Sequence, residues 1–139
     1  MLLLEIKKSL AQLDSILNEL GKNDQDCKLL TTIPGIGLIT AMTYKATIDD
    51  ETRFAKSSAI GAYIGLTPKQ YSSGEVNRHG NISKMGSKHT RTILYEAAQS
   101  LLITCKKKSK LKSWGLKLAK KKGRKKAIVA VARKLAVIM

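Results

Sequence analysis

Aromatic side chains make up only 4% of this chain, cysteines number two, and no acidic residue follows Glu96. Cys27 and Cys105 are too few and too far apart in sequence for a disulfide framework or a zinc ligand set, so two semi-buried thiols in a reducing compartment are expected. His79 and His89 stand apart and read as surface residues rather than metal ligands or bases, and no metal site is expected in the chain. No apolar run reaches the roughly 18 residues of a membrane span. The opening MLLLEIKK turns charged after four residues, unlike a secretory leader. A soluble cytoplasmic chain without a membrane partner is the expectation. A basic amphipathic tail lying on anionic lipid is the weakest reading, because the large aromatic anchors of such surfaces are scarce.

What is present is positive charge. The 139 residues are 43% hydrophobic, enough for one modest domain with a real core, yet they carry a net charge of +16. A field of that size calls for polyanions to offset it, and nucleic acid is the leading partner. The charge is also uneven: residues 1–51 hold five lysines against eight acids, whereas residues 52–139 hold 21 basic residues against Glu75 and Glu96. The first third reads as a packing or partner module and the remainder as a binding surface.

Most segments carry helical spacing, so the expected fold class is mostly α. Leu3, Leu10 and Leu17 alternate with Ile6, Leu13 and Leu20 as the a and d positions of a heptad, predicting a helix with a narrow leucine seam that Gly21 ends. Two coverings fit such a seam, the chain's own domain or another chain, and the abrupt start inside the pattern suggests a piece of something longer. Asn23 or Asp24 caps a second helix. Ile33-Pro34-Gly35-Ile36-Gly37 then forms a tight turn before a helix over LITAMTYKATI. Its glycines let two helices meet closely and leave N–H groups facing outward, as in helix-hairpin-helix DNA-binding proteins; a mere tight connection fits equally. Asp49-Asp50-Glu51 reads as a solvated acidic corner rather than a metal site. Ser57 or Ser58 caps a short helix that Gly65 terminates.

A polar loop with Ser72, Ser73 and Gly74 follows Pro68, and Gln70 to Val76 is compatible with a small irregular hairpin. Such an excursion between packing segments costs ordering entropy and marks a functional loop. Ser87 begins the strongest helix, with an apolar stripe of Ile93, Leu94, Ala97, Ala98, Leu101, Leu102 and Cys105. Lys88, His89 and Arg91 stand in its first turns, where the helix dipole disfavours cations unless an anion is near. Residues 106–126 hold 12 lysines and arginines without an acid, interrupted by Leu111, Trp114, Leu116 and Leu118, and read as a short basic-rimmed helix broken by Gly123. A last helix from Lys125 to Met139 offers Ile128, Val131, Ala132, Leu135 and Ala136 to the core.

A serine hydroxyl attacks a phosphodiester only when its proton is removed and cations meet the developing charge. Ser73 precedes Gly74, with Arg78, Lys84 and Arg91 nearby in sequence, but residue types alone leave it an ordinary loop serine.

The succession Ile33-Pro-Gly-Ile-Gly37, Ala62-Tyr-Ile-Gly-Leu-Thr-Pro68, Tyr71-Ser-Ser-Gly74 and Gly80-Asn-Ile-Ser-Lys-Met-Gly86 with Arg91 resembles the C-terminal domain of insertion sequence 110/116/902 family transposases. Those enzymes are similar to Piv-type DNA invertases and are recombinases guided by a bridge RNA. The resemblance covers about residues 28–139, and the leucine seam before it is similar to the family's coiled-coil segment. It implies a coiled-coil-like helix over residues 1–22 and a transposase domain over residues 23–139 with a basic tail at 106–126. It further implies that Ser73, the serine directly before glycine, is the nucleophile and forms a covalent phosphoserine link to DNA. Lys84 and Arg91 match basic positions of the motif. Ser87 and Thr90 stand where the family commonly has asparagine and leucine. The family's RuvC-like nuclease domain, with its four acids and their magnesium, has no counterpart in these residues, so no cofactor is expected in the chain itself. The expected nucleic-acid contacts are Gly35, Gly37, Gly74, Arg78, Lys84, Lys88, Arg91, Lys106, Lys107, Lys108, Lys121, Lys122 and Arg124. DNA is the expected partner, with a structured guide RNA and a second copy paired through the leucine helix. The alternative is a non-catalytic basic nucleic-acid-binding module that uses the lysine-rich tail alone.

Overall fold

A computed structural model describes the backbone of residues 1–73 and 76–139, and the side chains of all of these except residues 70–79. Among the described residues are seven α-helices, α1 (Leu2–Asn23), α2 (Gln25–Leu30), α3 (Leu38–Ile48), α4 (Ala59–Ile64), α5 (Lys88–Ile103), α6 (Lys110–Lys122) and α7 (Arg124–Ile138). One antiparallel hairpin, β1 (Pro68–Ser73) with β2 (Val76–Ile82), interrupts them. The fold is mostly helical, as expected, and the hairpin is longer than Gln70 to Val76.

Local chemistry sets the helix ends. The carboxylate of Asp24 accepts from the Cys27 N–H at 3.0 Å, the Ser87 hydroxyl from the Thr90 N–H at 3.3 Å and the Ser109 hydroxyl from the Lys112 N–H at 3.1 Å, each occupying a donor that the first helical turn leaves unpaired. Neither Ser57 nor Ser58 caps α4 with its side chain; the Ser57 carbonyl accepts from the Ile60 N–H instead. Gly65 stops α4 at φ 85°, with the Leu66 N–H donating to the Gly61 carbonyl and the Gly65 N–H to the Ala62 carbonyl. This is a Schellman closure, and it needs a residue without Cβ.

The core forms where α5 and α7 pack together, with α6 laid on α7, α3 on α5 and α4 on α7. Leu94, Ala98, Leu101, Ile128, Val131, Ala132 and Leu135 are sealed from solvent. Small residues permit the close approach: a Cβ on Gly115 of α6 would lie 2.7 Å from side-chain carbons of both Leu102 and Val131. Two buried polar groups are satisfied across elements. The Tyr44 hydroxyl donates to the Ala136 carbonyl at 2.6 Å, and Thr47 and Thr90 share a hydrogen bond of 2.7 Å. Burial pushes the Tyr44 hydroxyl up to about 12, which keeps it a neutral donor at every physiological pH.

Gly21 does not end the first helix. It lies buried within α1, which continues to Asn23, and a Cβ there would come within 2.4 Å of the Leu38 side chain. The missing side chain serves contact between α1 and α3. Elsewhere α1 leaves most of its leucines exposed, Leu3, Leu10 and Leu13 among them, with Leu17 half-buried.

Candidate nucleic-acid interface

The hairpin is held at its base by a tight collar of backbone. Beyond the paired strands, the Ser83 N–H donates to the Thr67 carbonyl at 2.9 Å and the Lys84 N–H to the Gly65 carbonyl at 3.0 Å. These bonds run residues 83–86 alongside the end of α4. Two glycines make the approach possible: a Cβ on Gly65 would sit 2.0 Å from the Met85 carbonyl oxygen, and one on Gly86 would sit 2.3 Å from the Tyr63 carbonyl oxygen. Both glycines have φ near +85 to +88°, and Lys84 between them also has positive φ, at 56°.

From α5, Arg91 reaches back into this collar. One guanidinium nitrogen, Nη1, donates toward the carbonyls of Ile64 at 3.1 Å, Met85 at 3.0 Å and Gly86 at 3.1 Å. The Ile64 carbonyl belongs to the last turn of α4, where the helix leaves its acceptors unpaired. For Arg91 the cation in the first turns of α5 is therefore met by carbonyl oxygens, which answers its dipole mismatch without a separate anion. Lys84 and Lys88, on either side of Gly86, are exposed.

Ser73 is the last residue of β1, and the register pairs it with Val76, as it pairs Tyr71 with Arg78. The Ser73, Arg78 and His79 side chains and the whole of Gly74 lie outside the described residues.

A second group of expected contacts is brought together far from its order in the chain. An open concavity of about 510 Å³ is lined by the turn Thr31–Gly37 and by Ser100, Cys105, Lys106 and Lys107. Gly35 takes φ 88° and packs against Ala97 and Leu101 of α5, whereas Gly37 caps α3 with open space where a Cβ would stand. One glycine thus serves packing and the other leaves the start of α3 accessible. Lys106, Lys107 and Lys108, in the α5–α6 connection, and Lys121, Lys122 and Arg124, at the α6–α7 corner, are exposed. Lys134 sits 3.7 Å from the Trp114 ring centroid, so the only Trp holds a cation as well as anchoring α6.

Among the described residues the ion pairs join Lys45 to Asp24 at 2.6 Å and to Asp26 at 2.8 Å. The Lys45 ammonium holds the Asp24 carboxyl below its ordinary range, and both carboxylates raise Lys45. Both ion pairs lie in the acidic third; the basic remainder contributes none among the described residues. Among the described residues no three His, Cys, Asp or Glu side chains gather to hold a metal ion, and no helix is long and apolar enough to cross a membrane.

A sequence model of the Transposase IS116/IS110/IS902 family matches residues 27–113, which include the turn, the hairpin, the collar and Lys106–Lys108. The chain belongs to this transposase family. It is 36% identical over 138 residues to the transposase for insertion sequence element IS1111A of Coxiella burnetii, covering 99% of this chain and 38% of that protein. Similarity extends to the transposase for insertion sequence element IS1328 of Yersinia enterocolitica, 37% over 91 residues, covering 63% of this chain and 27% of that protein. The pilin gene-inverting protein of Moraxella bovis is 28% identical over 136 residues, covering 94% of this chain and 42% of that protein. The chain thus spans about two fifths of the IS1111A transposase and of the inverting protein.

Sequence reasoning on this transposase domain missed the collar and the packing role of Gly21. Gly65 and Gly86 stand just before and just after the hairpin, and that bracketing was the available signal for the collar.

Proposed function

We propose that this chain is the DNA-binding, serine-bearing part of an insertion-sequence transposase. Ser73 acts as nucleophile: its Oγ forms a bond to a DNA phosphorus, one P–O bond of the backbone breaks, and the released sugar leaves as a hydroxyl. The proton of Ser73 passes to a base, the departing sugar oxygen takes up one proton in exchange, and the phosphoserine link conserves the bond energy for rejoining in the reverse step. The exposed Lys84 and Lys88 beside the hairpin, and Arg78 of β2, meet the charge that develops on the phosphate. Lys106–Lys108, Lys121, Lys122 and Arg124 hold the strands through their phosphates, and Gly35 and Gly37 bring backbone N–H groups to the same concavity as Lys106 and Lys107. The observation that carries the reading is the position of Ser73 as the final residue of β1 within the segment that matches the transposase family. Names of relatives that denote transposition and gene inversion support it.

Residues 1–22 pair with a second copy in a coiled coil, for which the exposed Leu3, Leu10 and Leu13 provide the seam. A bridge RNA is the guide by which such a transposase selects its target. Magnesium would be held by the family's nuclease acids rather than by residues 1–139.

The test is binding of labelled duplex DNA and structured RNA across a salt series. Log affinity is expected to fall linearly with log salt, with a slope of about −0.9 per phosphate neutralised on duplex DNA. A flat response, or no binding at low salt, overturns the reading. In a complete recombinase carrying this domain, Ser73→Ala is expected to abolish strand exchange with DNA binding retained; unchanged exchange removes Ser73 from the mechanism. If Ser73→Ala is harmless throughout and removal of residues 106–126 abolishes all binding, the chain is a non-catalytic basic module.

A further inference from the structure

We infer that Arg91 is a positioning residue that locks the base of the Ser73 hairpin, rather than a phosphate ligand; the inference rests on Ser73 being the nucleophile. A serine at the end of a two-stranded hairpin is delivered accurately only if the hairpin's stem is rigid, because an isolated pair of strands is marginally stable in water. β1 and β2 have no third strand among the described residues, so rigidity has to come from the stem.

The collar supplies it in three ways. The ladder continues past the strands through the Ser83 to Thr67 and Lys84 to Gly65 hydrogen bonds, which tie the returning chain to the end of α4. Gly65 and Gly86 let the two backbones touch with no side chain between them. Arg91 then closes the ring: Nη1 spans Ile64, on the outgoing side of the hairpin, and Met85 and Gly86, on the returning side. Since Arg91 is carried by α5, whose Leu94, Ala98 and Leu101 are in the core, the lock refers the hairpin stem to the buried core of the molecule. Three carbonyl dipoles around one nitrogen also satisfy the charge locally. A side chain held this way is spent on the protein and is poorly placed to follow a passing strand of DNA.

Amide hydrogen exchange on the intact 139-residue chain, together with DNA binding across a salt series, decides the matter. Arg91→Met is expected to speed exchange at Ser83 and Lys84 by about tenfold, and at β1 and β2 amides with them, since hydrogen bonds to a charged group are lost. Exchange in α7 and the salt slope for DNA should stay as in the unaltered chain. Arg91→Lys should restore most of the protection, because an ammonium offers three donors of its own where Nη1 shares two among the three carbonyls. Gly86→Ala changes no charge but forces a Cβ toward the Tyr63 carbonyl, so it should loosen the same amides. Unchanged exchange at Ser83 and Lys84 in Arg91→Met, with a salt slope reduced by about one phosphate, makes Arg91 a phosphate contact and overturns the inference. Equal acceleration in α7 makes it a general stability residue and overturns it as well. If the unaltered chain binds no nucleic acid, the transposase reading of the site fails while the exchange comparison still reports on the lock.

Discussion

α1 and α7 are both amphipathic helices with apolar residues three and four apart, and they meet opposite surroundings. α7 buries Ala127, Ile128, Val131, Ala132, Leu135 and Ala136 against α4, α5 and α6. α1 buries only Gly21, and its leucines and isoleucines face solvent along most of the helix. Periodicity declares that a helix has an apolar face; it does not declare what covers that face. The face of α7 is covered inside the chain, and the face of α1 is left exposed, which is why the two are expected to respond differently to substitution.

The largest effect is expected where the face is sealed. Leu135→Ala, at a site with 0% exposure, should cost about 2–5 kcal/mol and be read as a lower denaturant midpoint. A loss below about 1 kcal/mol would place α7 in the same class as α1. Next is the one point where α1 is anchored. Gly21→Val forces atoms into the Leu38 side chain and should cost about 1–3 kcal/mol, with α1 amides losing exchange protection while α7 amides keep theirs. A uniform loss of protection would mean that α1 and the core unfold as one unit.

A smaller effect attaches to the ion pairs that link the start of α2 to α3. The Lys45 ammonium, then the Cys27 N–H, depress the folded Asp24 carboxyl below its ordinary 3.8. Its contribution is therefore complete above that ordinary value and is lost as pH falls through the lower folded value. Asp24→Asn should flatten the acid limb of a stability-against-pH curve below about pH 4 and leave the neutral region parallel. The smallest effect on chain stability is expected from Leu10→Asp with Leu13→Asp, within about 0.5 kcal/mol, because both sites are exposed. The same pair should abolish self-association in sedimentation; persistence of the oligomer would show that α1 is not the pairing surface.

Much of the fold was legible from short-range signals. Asp24 and Ser87 start helices because a side-chain oxygen reaches an N–H three residues on, and Gly65 and Gly123 stop them because positive φ is open to glycine. Gly21 misled for the same reason. A glycine near the end of a helical pattern signals a stop locally, yet here the nearest atoms to its missing Cβ are those of Leu38, 17 positions away. For the site, the exposed lysines after residue 52 were readable as charge. The juxtaposition of Thr31–Gly37 with Lys106 and Lys107 was not, because it depends on the packing of α3 against α5.

Composition and local spacing alone determined a mostly helical chain and a basic surface without acids after Glu96, while similarity to known sequences marks the transposase family. These are properties of residues and their near neighbours, and they survive in any description of the chain. Tertiary structure alone decided that Arg91 turns inward onto three carbonyls, that Gly21 lies under a leucine of another helix, and that one apolar seam is buried while another is not. Each of those outcomes depends on which groups distant in sequence come within a few ångströms, and side-chain type does not encode distance.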